Sequence, residues 1–156
     1  MDIDLVADLQ PDQIEDFAAQ LGGEFYADPE MMREAISRGR SFNIIHFPST
    51  YKFDIFPVQP DEYSRTQLAR RQFAKTVSFG EPIECAFATA EDTILAKLRW
   101  YRAGGETSER QWHDLRGILQ VSGHVLDRDY LTKWAPRLGV ADLLERLFAE
   151  QAPKQD

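Results

Sequence analysis

The sequence is short of cysteine, of basic residues and of long apolar runs. Its one cysteine, Cys85, excludes an internal disulfide and a zinc site built from several cysteines, and it favours a reducing cytoplasm. Lys and Arg number 18 against 26 Asp and Glu, a net charge of −8. We therefore expect no non-specific binding to DNA, RNA or anionic membrane, because such binding depends on basic side chains.

No targeting or membrane segment is predicted. No apolar run approaches the roughly 18 residues that a membrane span needs. The acidic start Met1-Asp2-Ile3-Asp4 is the opposite of a signal peptide. We expect a cytoplasmic protein without a membrane partner.

The sequence does contain strand and helix patterns that alternate at first and then become helical. Ser41–Phe47 and Tyr51–Val58 are aromatic and β-branched and flank turn residues, which predicts an antiparallel hairpin. From Thr89 onward the apolar residues keep helical spacing. The predicted fold class is α+β, a small mixed β-sheet with helices followed by a helical C-terminal half.

The same patterns predict how the chain is divided. We expect an α/β core over residues 1–88, a helical part over residues 89–151 packed on it as one compact unit, and a frayed tail over residues 152–156. Inside the core, Asp61–Ala74 predicts a basic helix, and two further strands are predicted around Gly80.

Three carboxylates on predicted strands are the candidate site. Asp2 and Asp4 share one face of the opening strand, because side chains of a strand alternate with a period of two. Asp54 lies among aromatic residues of a later strand, where an unpaired carboxylate is costly. Converging carboxylates repel one another unless a cation lies between them. Mg²⁺ prefers oxygen ligands, and a pair of such ions serves phosphoryl transfer.

A plainer interpretation of the same residues stays open. Asp2 and Asp4 are then solvated carboxylates near the chain start. Asp54 then pairs with Lys52 or with an arginine of the following helix. Neither of these arrangements needs a metal.

Other charged residues are weaker candidates. His46 is placed where it can face Asp54, although no histidine has metal-ligand spacing to another histidine or cysteine. Lys52 and Lys75 are candidate phosphate contacts, with a solvated surface lysine as the plainer interpretation. Basic residues of the predicted helix can meet a nucleotide or form a solvated face: Arg65, Arg70 and Arg71.

Five segments taken in order resemble a known family. They are Asp2–Leu9, Phe42–His46, Tyr51–Phe56, Ala90–Tyr101 and Glu109–Leu115. They resemble the small prokaryotic nucleotidyltransferase-like proteins of the polymerase-β-type nucleotidyltransferase superfamily. That group includes the nucleotidyltransferases of abortive-infection and toxin–antitoxin systems. The resemblance covers nearly the whole chain.

The resemblance implies roles for the strand residues. By position, Asp2 and Asp4 match the family's D-x-D pair and Asp54 matches its third carboxylate. In that family these carboxylates are catalytic and bind divalent metal, so Mg²⁺ is the expected cofactor and a nucleoside triphosphate the expected substrate. The resemblance implies transfer of a nucleoside monophosphate to a protein or RNA acceptor. Lys52, on the same strand as Asp54, is assigned to nucleotide binding.

Two helical residues also match the family by position. Lys97, a second candidate nucleotide contact, and Asp114 match helical positions that recur in the family. They either face the site or fix two helices together.

The family's Gly-Ser phosphate-binding segment precedes D-x-D, whereas this sequence starts at Met1. We expect that segment, and a helix covering the sheet, to be missing. The apolar surface exposed in this way favours a homodimer.

Three functions follow from these expectations. The first is an Mg²⁺-dependent nucleotidyltransferase, inactive if the Gly-Ser segment is required. The second is a catalytically silent binding or assembly module, for example one partner of a toxin–antitoxin-type pair. A metal nuclease of the restriction type ranks last, because it needs an acid-x-Lys order and this strand has Lys52-x-Asp54.

Overall fold

The computed structural model describes residues 2–78 and 81–150, with the backbone alone at Asp2, Ser78 and Glu81. The chain forms two compact units, of which the first ends at Leu68 and the second begins at Ala69. The first unit contains β1 (Asp2–Ala7), α1 (Ile14–Leu21), β2 (Phe25–Tyr26), α2 (Pro29–Ser37), β3 (Phe42–His46), β4 (Tyr51–Pro57) and most of α3 (Glu62–Arg70). The second contains β5 (Gln72–Ser78), β6 (Glu81–Phe87), α4 (Ala90–Ala103), α5 (Glu109–Ser122), α6 (Arg128–Arg137) and α7 (Ala141–Ala149). The predicted α+β fold class is confirmed.

The first unit is built on a four-stranded mixed sheet with strand order β1-β4-β3-β2. β1 runs parallel to β4, while β3 is antiparallel to both β4 and β2. The predicted hairpin of β3 and β4 is therefore confirmed. One face of the sheet, which we call the core face, carries buried Phe42, Ile44 and Ile55. These side chains pack with Ile14 of α1 and Met32 of α2 in one hydrophobic cluster.

Local sequence signals explain where α2 begins and ends. The Asp28 carboxylate accepts hydrogen bonds from the backbone N–H groups of Glu30 at 2.9 Å and Met31 at 3.1 Å. These bonds satisfy donors that a helix start otherwise leaves unpaired. Beyond the helix, Gly39 adopts a φ of 61°, and the N–H of Arg40 donates to the carbonyl of Ala35. Gly39 thereby ends the helix, since glycine tolerates this backbone region best.

The second unit combines a two-stranded antiparallel sheet of β5 and β6 with four helices. Thr89, Ser108 and Asp127 cap α4, α5 and α6 through their side chains. Buried apolar side chains of these helices form the interior, among them Leu95, Leu98, Leu115, Leu131 and Leu147. The helix predicted over 61–74 is wrong at its end. It stops at Arg70, and Gln72 already begins β5, whose residues pair in regular register with β6.

Two expectations concern other parts of the chain. None of the helices within residues 2–78 and 81–150 combines the length and apolar character that crossing a membrane takes. The predicted tail over 152–156 lies outside the described residues.

Candidate functional site

The predicted carboxylates are placed by the register of β1 and β4. Asp4 of β1 and Asp54 of β4 are direct partners in the parallel ladder, and Asp2 is opposite Lys52. Because residues that are level on adjacent parallel strands point to the same side, these four positions lie on one face of the sheet. It is the face opposite the core face. We call it the carboxylate face.

Asp54 is the most sheltered of the charged residues described on this face. Its side chain is 20% exposed, and the Lys52 ammonium lies 3.0 Å from its Oδ2. The two residues are separated by one position along β4, so their side chains leave the strand on the same side. The ion pair predicted between Asp54 and Lys52 is thus present. Asp4, in contrast, is exposed.

Asp2 belongs to β1 by its backbone, and its side chain lies outside the described part of the chain. Among the side chains described in residues 3–77 and 82–150, no three His, Cys, Asp or Glu residues come together as a metal-binding group. The described carboxylates of the predicted trio are the in-register pair Asp4 and Asp54.

This pair fits magnesium in its donor chemistry. Mg²⁺ is typically held by one or two carboxylates, with waters and phosphate oxygens filling the other positions. Adjacent strands lie about 4.8 Å apart, so Asp4 and Asp54 leave the sheet as immediate neighbours. One is exposed and the other half-buried, so the pair is open to a ligand from solvent.

Sequence reasoning missed a polar neighbour of Asp54. Asn43 of β3 is the direct partner of Asp54 in the antiparallel ladder, and it is exposed. Asp54 is therefore flanked by Asp4 on one side and by Asn43 on the other. The hairpin register carries this signal, because directly opposite residues of paired strands share a face.

The prediction that His46 can face Asp54 is wrong. His46 is opposite Tyr51, one residue out of phase with Asp54, and so lies on the core face. Its ring packs 4.6 Å from the ring of Phe25, and its Nδ1 lies 2.7 Å from the Ser49 hydroxyl. His46 is a packing residue at the end of the sheet.

Lys97 and Asp114 lie in the second unit and contact each other. Lys97 Nζ of α4 donates to Asp114 Oδ2 of α5 at 3.0 Å. This bond supports the interpretation that the pair fixes the two helices together. Both residues also line an open groove of about 610 Å³ together with Thr93, His113, Gly117, Ile118, Val121 and Ser122.

A buried polar network surrounds the start of α4. The pairing of Thr89 with Asp92 is the one that their capping-box spacing predicts, whereas the contacts with Arg70 and Tyr130 were not predicted. Asp92 is fully buried and accepts hydrogen bonds from the Tyr130 hydroxyl at 2.7 Å and the Thr89 hydroxyl at 2.8 Å. Arg70 donates to Glu91 at 3.3 Å, and its guanidinium lies 3.9 Å from the centre of the Tyr130 ring. The sequence signal was two consecutive acids in the first turn of the helix.

This network shifts the titration of two of its members. Burial raises the pKa of Glu91, but the hydrogen bond from the backbone N–H of Asp127 and the charge of Arg70 outweigh it, so the pKa of Glu91 is lowered. Burial, together with the hydrogen bond to Asp92, raises the pKa of the Tyr130 hydroxyl well above its ordinary value. The network joins the end of α3 to the starts of α4 and α6, which is a structural role.

Comparison with known proteins adds no assignment. No family model matches the chain, and searches of curated proteins and of solved structures return no match.

Proposed function

We propose that this chain is an Mg²⁺-dependent nucleotidyltransferase-like protein that transfers a nucleoside monophosphate from a nucleoside triphosphate to a protein or RNA acceptor. The observation that carries the proposal is the in-register pairing of Asp4 with Asp54 on the carboxylate face. Lys52, 3.0 Å from Asp54, adds a cationic group to the same site. The family resemblance of the sequence gives the reaction type.

The distribution of charge supports a requirement for a cation. Residues 1–68 hold 13 Asp and Glu against 5 Lys and Arg, a formal charge of −8, while residues 69–156 hold 13 of each. A triphosphate is itself a polyanion and is repelled by such a unit. We therefore expect triphosphate binding on the carboxylate face to depend on a divalent cation.

Each residue of the site then has a role. Asp4 and Asp54 would hold the cation. When bound, Mg²⁺ supplies the positive charge that offsets the phosphate oxygens. Lys52 contacts a phosphate oxygen.

The proposed transfer step is a displacement at the α-phosphorus of the triphosphate. The acceptor hydroxyl oxygen forms a bond to the α-phosphorus, the bond from that phosphorus to the β-phosphate bridging oxygen breaks, and pyrophosphate leaves. Asp54 accepts the hydroxyl proton as general base. Its half-buried position beside Lys52 keeps its carboxylate oriented on the carboxylate face.

Calorimetric titration with the four ribonucleoside triphosphates, with and without Mg²⁺, tests this proposal. We expect binding of at least one triphosphate in the presence of Mg²⁺ and none in its absence. Asp54→Asn and Asp4→Asn are each expected to weaken it about tenfold or more, since they remove a charged ligand. Asp16→Asn, a change of another exposed aspartate of the same unit, is expected to bind as the parent chain does.

Several results contradict the proposal. No binding to any triphosphate is one, and binding that is equally tight without Mg²⁺ is another. Equal loss in Asp16→Asn and Asp54→Asn points to general charge effects and also contradicts it.

A second candidate is a binding or assembly module without catalysis, such as one partner of a toxin–antitoxin-type pair. The observation that favours it is the exposure of large apolar side chains on the β5–β6 hairpin, where Phe73 is 62% and Val77 70% exposed. Exposed apolar patches mark interaction sites. Absence of triphosphate binding together with specific protein association would favour this candidate.

A further inference from the structure

The β5–β6 hairpin presents an exposed face with a regular pattern. Strand alternation places three side chains of each strand on it. We call this set the hairpin face: Phe73, Lys75, Val77, Pro82, Glu84 and Ala86. All six side chains are exposed.

Packing against a partner would stabilise this exposed hairpin. Within the described residues, β5 and β6 pair with each other and with no other strand. An isolated two-stranded ribbon is marginally stable in water and gains stability from packing against another element. Phe73 and Val77 supply apolar area for such packing, and burying it is favourable.

The hairpin face is complementary to itself. Three register pairs cross it: Phe73 with Ala86, Lys75 with Glu84, and Val77 with Pro82. When two copies meet face to face about a two-fold axis parallel to the strands, β5 of one copy lies over β6 of the other. Each aromatic ring then covers an alanine, each valine covers a proline, and each ammonium meets a carboxylate.

The charges select this axis over the alternative. A two-fold axis perpendicular to the strands places β5 over β5, so that Lys75 meets Lys75 and Glu84 meets Glu84. Like charges in direct contact are unfavourable, whereas the parallel axis forms two Lys75–Glu84 pairs across the interface. We propose that the hairpin face binds the hairpin face of a second copy of this chain, giving a symmetric homodimer. This proposal is independent of the nucleotide site.

The size of the patch sets the expected affinity. Six side chains per copy make an interface smaller than the roughly 20–30 residues a side of a standard specific one, so we expect a weak, reversible dimer with a dissociation constant of about 100–1,000 µM. Because the interface is symmetric, each substitution changes it at two places.

A charge-reversal experiment tests the geometry directly. K75E gives a hairpin face with two carboxylates, and E84K gives one with two ammonium groups. Each variant alone is expected to dimerise at least tenfold more weakly than the parent chain, because like charges meet. An equal mixture of the two is expected to form a heterodimer about as tightly as the parent homodimer, because every contact across the interface is then opposite in charge. Sedimentation equilibrium over a range of concentrations measures all three.

A second pair of variants removes dependence on the charges. Phe73→Ser is expected to weaken the dimer about tenfold or more, since it removes the aromatic anchor. Phe47→Ser, a change of a similarly exposed phenylalanine outside the hairpin (57% against 62%), is expected to leave dimerisation unchanged. Circular dichroism confirms that each variant is folded.

Several outcomes overturn the proposal. They are a parent chain that remains monomeric throughout the concentration range, a K75E and E84K mixture that stays monomeric, and a dimer that persists unchanged in Phe73→Ser. The last result places the interface elsewhere.

Discussion

Removing one hydroxyl from the buried network of the second unit gives a sharp test of its energetics. Tyr130→Phe keeps the ring, and with it the contact of the Arg70 guanidinium 3.9 Å from the ring centre. It deletes the hydrogen bond of 2.7 Å to Asp92, a carboxylate with no solvent exposure. Asp92 keeps the Thr89 hydroxyl at 2.8 Å. The perturbation is therefore the loss of one charge-assisted bond at a site that water does not reach.

The magnitude follows from that geometry. A hydrogen bond to a charged group contributes about 1.5–3 kcal/mol, and the acceptor is left partly unsatisfied. We expect the free energy of unfolding to fall by about 2 kcal/mol, which corresponds to a fall in Tm of about 8–16 °C for a unit the size of Ala69–Asp156. Urea unfolding followed by tryptophan fluorescence reports the second unit, because all 3 tryptophans lie in it.

A matched control separates the bond from the substitution. Tyr26→Phe removes the hydroxyl of a tyrosine that is 48% exposed and is expected to change stability by less than about 0.5 kcal/mol. Because Tyr26 lies in the first unit, circular dichroism follows the unfolding of both variants. If Tyr130→Phe also changes stability by less than that, the hydrogen bond from Tyr130 to Asp92 does not stabilise the fold and the reasoning is refuted.

Three further changes have expected outcomes. Asp28→Ala removes the cap of α2 and is expected to cost about 1 kcal/mol in urea unfolding. Gly39→Ala places a Cβ 2.6 Å from Oε1 of Gln59 at a φ of +61° and is expected to cost about 1 kcal/mol or more in a thermal melt. The pKa of Glu91 is lowered in the folded chain, so its contribution to stability is present above its ordinary pKa of 4.5 and is lost as the pH falls further. Glu91→Gln is therefore expected to reduce the loss of unfolding free energy on acidification. An unchanged loss of unfolding free energy in the variant contradicts this.

Sequence patterns predict the helices and strands of this chain well, but they predict its tertiary contacts poorly. The strands at residues 42–46 and 51–57 follow from alternation and turn residues, because both signals act locally. The end of α3 does not follow. Arg70 and Gln72 are both compatible with a helix, and the pairing of β5 with β6 places the boundary between them.

Some features of the candidate site also follow from local sequence patterns, and others do not. That Asp54 shares a face with Lys52 follows from the period of a strand. That Asp4 is level with Asp54 requires the register of two strands distant in sequence, which periodicity does not contain. The face on which His46 lies depends on the register of β3 with β4. The Asp92 carboxylate of α4 contacts Tyr130 of α6 and Arg70 of α3, whose Nε lies 3.6 Å from its Oδ2. Such contacts depend on how elements pack.

The most direct test of the central claim is to locate a bound cation in the folded chain. Mn²⁺ replaces Mg²⁺ in oxygen sites and broadens the NMR signals of nearby nuclei. With a non-hydrolysable triphosphate present and Mn²⁺ below stoichiometry, we predict that the amide signals around Asp4 and Asp54 broaden first, and that Asp54→Asn abolishes this. Broadening that starts instead at the exposed residues Glu15 and Asp16 of α1, or that is unchanged in Asp54→Asn, would contradict a cation site on the carboxylate face.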